Sequence, residues 1–134
     1  MKILVCGDRN WSNQKRMYDF LDEIDGYGIC DNSKKKVYRV IEGEARGADT
    51  MARLWAESRN INVEPHPANW ARYGRGAGPI RNREMLKSQP DLVIAFHNYI
   101  KTSKGTLDML KVALKAGISC ILVTDTTSNK LEKL

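Results

Sequence analysis

The chain is poor in the residues that usually announce a chemistry. Its three cysteines, Cys6, Cys30 and Cys120, stand far apart with no CxxC pair, which argues against zinc. Cys6 and Cys120 sit inside apolar runs and read as reduced core thiols, and no histidine is spaced to activate them. There are two histidines, His66 and His97. No apolar run reaches the roughly 18 residues of a membrane-spanning helix. The opening run from Met1 to Gly7 is too short for a signal peptide and breaks at once into Asp8-Arg9-Asn10, so a cytoplasmic protein is expected. Walker A and GxGxxG patterns are both missing, which leaves ordinary ATPase chemistry and standard NAD binding without support. No repeat, low-complexity block or linker interrupts the chain.

What is present suits one compact domain. Of 134 residues, 42% are hydrophobic and 28% charged, enough for a buried core in an ordinary globular composition. The net charge of +6 suits an anionic partner without distinguishing nucleic acid from a small phosphate compound.

Apolar runs and helical spacings alternate from end to end. Lys2–Cys6 reads as a buried strand meeting a glycine. Ser12 is a candidate N-cap for a helix carrying Met17, Phe20, Leu21 and Ile24, which Gly26 and Gly28 end. Lys34 to Lys36 reads as a charged turn. Strands are expected at Val37–Ile41, Ile61–Pro65, Asp91–Phe96 and Ile118–Val123. Helices are expected from Ala48 to Arg59, from Pro79 to about Ser88, and from Gly105 to Ala116 with Gly117 as its cap. Pro67 to Gly78 reads as the longest irregular stretch. Residues 125–134 read as a polar tail, a short helix or a frayed end, beyond a domain of residues 1–124. The fold class is therefore α/β: a three-layer sandwich with a parallel sheet of about five strands and helices on both faces.

In such sheets ligands bind beyond the carboxyl ends of the strands, where each strand hands over to a helix N-terminus whose free N–H groups favour anions. The unusual residues of this chain fall there. Gly7, Asp8 and Arg9 follow the first strand. Glu42, Gly43, Glu44, Arg46, Gly47 and Asp49 follow the second. Arg72, Arg75, Arg81, Asn82 and Arg83 follow the third, and Ser103, Gly105 and Thr106 the fourth. Six of the ten arginines lie in these segments, and arginine offers a planar fork of donors to phosphate. Plainer accounts exist for each residue alone. Arg46 and Asp49 could pair across one helical turn, Arg72 and Arg75 could lie on a solvated loop, and Trp70 could pack the long loop onto the domain. Trp11, Trp70 and Tyr73 are also aromatics able to stack on a base. His66 and His97 both stand at strand ends beside the edge loops.

The motifs have a family likeness. Gly43 to Asp49 resembles the GGARGAD segment of the YspA-like family within the SLOG superfamily. Ala77 to Met85 is similar to its AGPIRNRxM segment, Val5 to Trp11 to its first-strand motif, and Ser103 to Met109 to its SxGTxDM segment. The likeness runs from about Lys2 to Val123. It implies a Rossmann-like fold and binding of nucleotides or nucleotide-derived ligands. Relatives in the wider superfamily include single-strand DNA-binding proteins, sensors of nucleotide signals and the LOG phosphoribohydrolases. Two departures stand out. Glu44 replaces the second glycine of the usual pair, and Met109 stands where the LOG enzymes carry a catalytic glutamate.

The expectation is a binding module for a nucleotide-type ligand, with Gly7, Arg9, Gly43, Arg46, Gly47, Arg81, Asn82, Ser103, Gly105 and Thr106 as its contacts. An N-ribosyl hydrolase or transferase acting on nucleoside monophosphates or ADP-ribose-like compounds is the alternative, with Glu44, Asp49 or Asp108 as the carboxylate. Single-stranded nucleic acid ranks third as a partner, because no separate DNA-reading motif is present. No metal, cofactor or membrane is implied, and a homo-oligomer stays open.

Overall fold

The computed structural model describes residues 1–26 and 36–134. Expectations resting on Gly28, Cys30 and most of the turn from Lys34 to Lys36 lie outside the described residues. Six strands form one sheet in the order β3-β2-β1-β4-β5-β6. They are β1 (Lys2–Gly7), β2 (Arg39–Glu42), β3 (Asn62–Pro65), β4 (Leu92–Phe96), β5 (Ser119–Val123) and β6 (Ser128–Leu131). The first five run parallel and β6 pairs antiparallel with β5. The expected Rossmann-like α/β sandwich is therefore present, with one more strand than the sequence suggested.

The parallel strands are aliphatic runs because helices cover both of their faces. Alternate residues of each strand feed two separate cores. One gathers Ile3, Val5, Val40, Ile94 and Phe96 under α1 (Gln14–Asp25) and α2 (Ala48–Ser58), which contribute Met17, Phe20, Leu21 and Trp55. The other gathers Leu4, Ile41, Val93 and Ala95 under α4 (Ala77–Lys87) and α5 (Gly105–Lys115), which contribute Met85, Met109 and Leu110. Each large side chain buried in this way contributes about 1.5–3 kcal/mol relative to exposure. Trp55 also spends its ring N–H on Asp22 at 2.9 Å, which ties α2 to α1.

Three local expectations change. Asn13, not Ser12, caps α1, accepting the Arg16 N–H at 3.1 Å. Asn13 is selected because its amide also reaches Asp125 at 2.9 Å, a contact that exists only once β5 has formed. The stretch before α4 is not irregular: Asn69 caps a short helix α3 (Trp70–Tyr73), a 3-10 turn follows over Gly74–Gly76, and α4 starts at Ala77. The closing residues form a hairpin, with Thr124 N–H on the Thr127 carbonyl at 2.8 Å and Val123 opposite Ser128. Its strand β6 is polar because it is a solvated sheet edge. At the other end, Gly26 takes the left-handed conformation (φ 74°) that ends α1 as expected.

Candidate functional site

The sheet reverses its winding between β1 and β4. From β1 the chain proceeds outward through β2 and β3; from β4 it proceeds the other way through β5. Gly7 and Phe96 stand side by side in register at the carboxyl ends of those two strands. This is the switch point at which open α/β sheets leave a crevice. A cleft of about 810 Å³ opens there, within the size range of small-molecule sites.

Cys6, Met85 and Met109 supply its sulfur-bearing apolar floor. Burial pushes the Cys6 thiol well above its ordinary value, in keeping with a core thiol. Cys120, in the same core, is pushed up to about 11 by burial.

One wall is the loop between β2 and α2. Asp49, in the first turn of α2, is buried, and its Oδ2 accepts the backbone N–H groups of Gly43 at 3.1 Å and Ala45 at 3.3 Å. The plainer alternative, a pairing of Asp49 with Arg46, does not form; the carboxylate instead holds its own loop in shape. Burial raises Asp49 to about 6, opposed by the Ala45 and Gly43 N–H groups and the charges of Arg81 and Arg9. Gly47 takes a positive φ of 77°, and a Cβ there would stand 2.5 Å from the Arg9 carbonyl carbon. The two loops therefore lie backbone against backbone, joined by the Ala48 N–H on the Asp8 carbonyl at 3.1 Å.

The facing wall is α4. Arg81 reaches across to the Gly43 carbonyl at 2.6 Å and also donates to the Asn82 side chain at 3.1 Å. Asn82 is buried and passes its amide on to Asp108 at 3.0 Å and to the Gly105 carbonyl at 3.3 Å, which joins α4 to the start of α5. Arg83 reaches the same Asp108 oxygen at 3.4 Å.

The third wall is the N-terminus of α5. Ser103 Oγ accepts the Thr106 N–H at 3.1 Å and sets the turn. Apart from its chain neighbours and its own helix backbone, no atom lies within 4 Å of where a Cβ on Gly105 would point. Packing within the protein therefore gives no reason for glycine at that position. His97 completes the rim. It is buried, and its Nδ1 accepts the Tyr99 N–H at 2.9 Å.

Of the expected contacts, Gly7, Arg9, Arg46, Arg81, Asn82, Ser103, Gly105 and Thr106 line the cleft, as do Asp49 and Asp108. Gly43, Gly47 and Glu44 are not in its lining, and the reasons are steric. Gly43 leaves room for Arg81, since a Cβ there would stand 2.7 Å from its Cζ. Gly47 leaves room for the Asp8–Arg9 backbone. Glu44 sits exposed in the left-handed region (φ 55°) on the outside of the loop. Gly7 does line the cleft, but its want of a side chain is explained by Ala48, whose Cβ would lie 2.8 Å away. His66 pairs with Glu64 at 2.6 Å on the β3 side, outside the lining. Trp11 is a core residue 5.5 Å from the Phe96 ring, and Tyr73 carries Arg72 over its face at 5.0 Å. Trp70 lines the cleft while half exposed, with its ring 3.7 Å from the Gly78 Cβ position.

Two residues of interest escaped the sequence reading. Tyr99 and Lys104 line the cleft, and their places beside His97 and Ser103 were the available signal. Glu42, one of the acids that the sequence places at the strand ends, does not line the cleft. It is fully buried, accepts the Glu44 N–H at 2.5 Å through Oε2, and leaves Oε1 without a partner among the described residues. Burial, with Asp49 and Glu44 nearby, raises it to about 7.

Among the described residues, no helix is long and apolar enough to cross a membrane, and no cluster of His, Cys, Asp and Glu could hold a metal ion.

A family model described as "YspA, cpYpsA-related SLOG family" matches residues 1–73. The chain is 35% identical over 128 residues to the Gene 61 protein of Mycobacterium phage D29, covering 90% of this chain and 94% of that protein. Its fold is similar to the X-ray structure of DNA processing protein A (DprA) from Streptococcus pneumoniae, with a TM-score of 0.68 at 15% identity. That likeness covers 90% of this chain and 49% of the other, so the chain spans about half the length of DprA.

Proposed function

The chain belongs to the YspA, cpYpsA-related SLOG family, and from that premise we propose that it binds a nucleotide or nucleotide-derived ligand in the cleft between β1 and β4. The observation that carries this reading is Gly105. It opens α5, it lines the cleft, and nothing in the protein occupies the space its missing side chain would fill. An anion at that position meets helix N–H groups without obstruction. Arg9, Arg46 and Arg81 then supply charge around the phosphate, Asn82 and the hydroxyls of Ser103 and Thr106 supply polar contacts, and the exposed face of Trp70 receives the base. Asp108, which lines the same cleft, then accepts a ribose hydroxyl.

The reading is one of binding, without turnover. The floor position of the LOG glutamate is the apolar Met109, Asp49 is held by two backbone donors, and Glu44 is exposed and not part of the cleft lining. Calorimetry of the full chain against nucleoside mono-, di- and triphosphates, with mass spectrometry of whatever co-purifies, tests it. Saturable binding of at least one nucleotide, weakened by Arg9→Ala, is expected. No heat with any of them, and no phosphate-bearing compound co-purifying, would overturn it.

A further inference from the structure

Resting on that reading of the cleft, we infer that its ligand is a ribonucleotide and not a deoxyribonucleotide, and that Asp108 is the residue that distinguishes the two sugars. The observation is an arrangement shared by the acids of the cleft. Five cations line it, but so do three carboxylates, Asp8, Asp49 and Asp108. Each commits one oxygen to the protein. Asp8 Oδ1 accepts the Asn10 N–H at 2.9 Å, and Asp49 Oδ2 accepts the N–H groups of Gly43 and Ala45. Asp108 Oδ2 accepts the Asn82 amide at 3.0 Å and Arg83 at 3.4 Å. The second oxygen of each accepts no hydrogen bond among the described residues. None of these oxygens is shut away, because Glu42 Oε1 is the one unpartnered side-chain atom sealed from solvent among those residues. The Asp108 side chain keeps 28% of its surface exposed, so a ligand can reach it.

Hydrogen bonds leave the charge of a carboxylate in place. Beside a phosphate that charge repels, so it weakens the binding of a bare anion. It favours a ligand that brings hydrogen-bond donors as well, because a charge-assisted bond to the free oxygen offsets the repulsion. In a nucleotide those donors are the sugar hydroxyls and the N–H groups of the base. Position separates them. Asp108 follows Gly105 by three residues on α5, a spacing that puts side-chain positions about 5–6 Å apart on one helix face. Asp8 and Asp49 belong to the loops after β1 and β2, away from that helix. A phosphate at Gly105 therefore has Asp108 as its neighbour, and the group esterified to a phosphate is the sugar, with the base beyond it. The free oxygen of a carboxylate has two lone pairs, so it accepts from both hydroxyls of a ribose, whereas a 2′-deoxyribose fills only one. Asn82, itself buried, fixes the other oxygen before any ligand arrives, so little side-chain freedom is lost on binding.

The test is calorimetry of the full chain with the nucleoside mono- and diphosphates of adenine, guanine, cytosine and uracil, each beside its 2′-deoxy form. For a base that binds, the ribonucleotide is expected to bind at least about tenfold tighter than its deoxy partner, the worth of a hydrogen bond to a charged group. Asp108→Asn keeps an oxygen for the Asn82 amide and removes the charge, and Asp108→Ala removes the polar group altogether. Each is expected to narrow the ratio below about threefold. The ratio does not depend on how much of a variant is folded, because both sugars meet the same protein. Ribo and deoxy forms within twofold of each other in the unaltered protein overturn the inference while leaving nucleotide binding intact. A tenfold preference that survives in both variants overturns the role of Asp108. Binding of no nucleotide overturns the reading of the cleft itself.

Discussion

Arg81 occupies the space that a side chain on residue 43 would need. Its Cζ lies 2.7 Å from the position of a Gly43 Cβ, and its guanidinium bonds the Gly43 carbonyl at 2.6 Å. A glycine in a strand-to-helix turn is easily read as room for a ligand. This one is room for an arginine, and the arginine bridges α4 to the turn that Asp49 organises.

Gly43→Ala is therefore expected to displace Arg81 and destabilise the fold by about 1–3 kcal/mol, the usual cost of overpacking. Arg81→Ala should also cost stability, because it strips Asp49 of a compensating charge and the Gly43 carbonyl of a donor. The double variant should be less destabilised than the sum of the two, since the clash goes with the side chain. Chemical denaturation of the four proteins measures this. Strict additivity would show that the contact is not the cause.

Gly105→Ala is expected to behave in the opposite way. Apart from its chain neighbours and its own helix backbone, nothing lies within 4 Å of the added methyl group. Alanine in a first helical turn should leave stability unchanged or raise it by less than about 1 kcal/mol. Nucleotide affinity should nonetheless fall, because the methyl group enters the cleft. A melt paired with a nucleotide titration separates the two effects.

Stability should depend on pH against the usual direction for carboxylates. Glu42 is raised from an ordinary 4.5 to about 7, and Asp49 from 3.8 to about 6. The folded protein thus holds protons that the unfolded chain has released. The stabilisation is complete below about pH 4 and is lost as pH rises through about 7, by roughly 3 kcal/mol for Glu42. Glu42→Gln keeps an acceptor for the Glu44 N–H and removes the charge. It should flatten the pH profile of unfolding between about 4.5 and 7 and stabilise the protein above 7. An unchanged profile would count against the buried charge as its source.

Asn13→Ala should cost about 1 kcal/mol, the worth of a helix N-cap, with a further loss from the broken contact to Asp125. Ser12→Ala should stay within about 0.5 kcal/mol. Equal effects would mean that the cap alternates between the two residues.

Much of this protein was legible before any coordinate. Aliphatic runs such as Lys2–Cys6 and Asp91–Phe96, set between helical spacings, determine a parallel sheet covered on both faces, because only that arrangement buries a strand apolar on both sides. The alternation also determines which loops share an edge, and so that Arg9, Arg46, Arg81 and Gly105 would meet. Tertiary structure decided the rest. It made a strand of the polar residues Ser128–Leu131, because a sheet edge is chosen by backbone pairing with β5 and not by its own hydrophobicity. It moved the cap of α1 to Asn13 through a partner at Asp125, 112 positions along the chain. It divided the glycines into those facing open space, Gly105 at the cleft among them, and those making room for Arg81 and the Asp8–Arg9 backbone. Among the described residues it left Arg46 and Arg75 with no hydrogen bond, ion pair or ring contact, while the charge of Arg9 acts on the buried Asp49. Spacing along a chain governs local conformation and burial; what a side chain finally touches depends on residues far away in sequence, and only the fold brings them within reach.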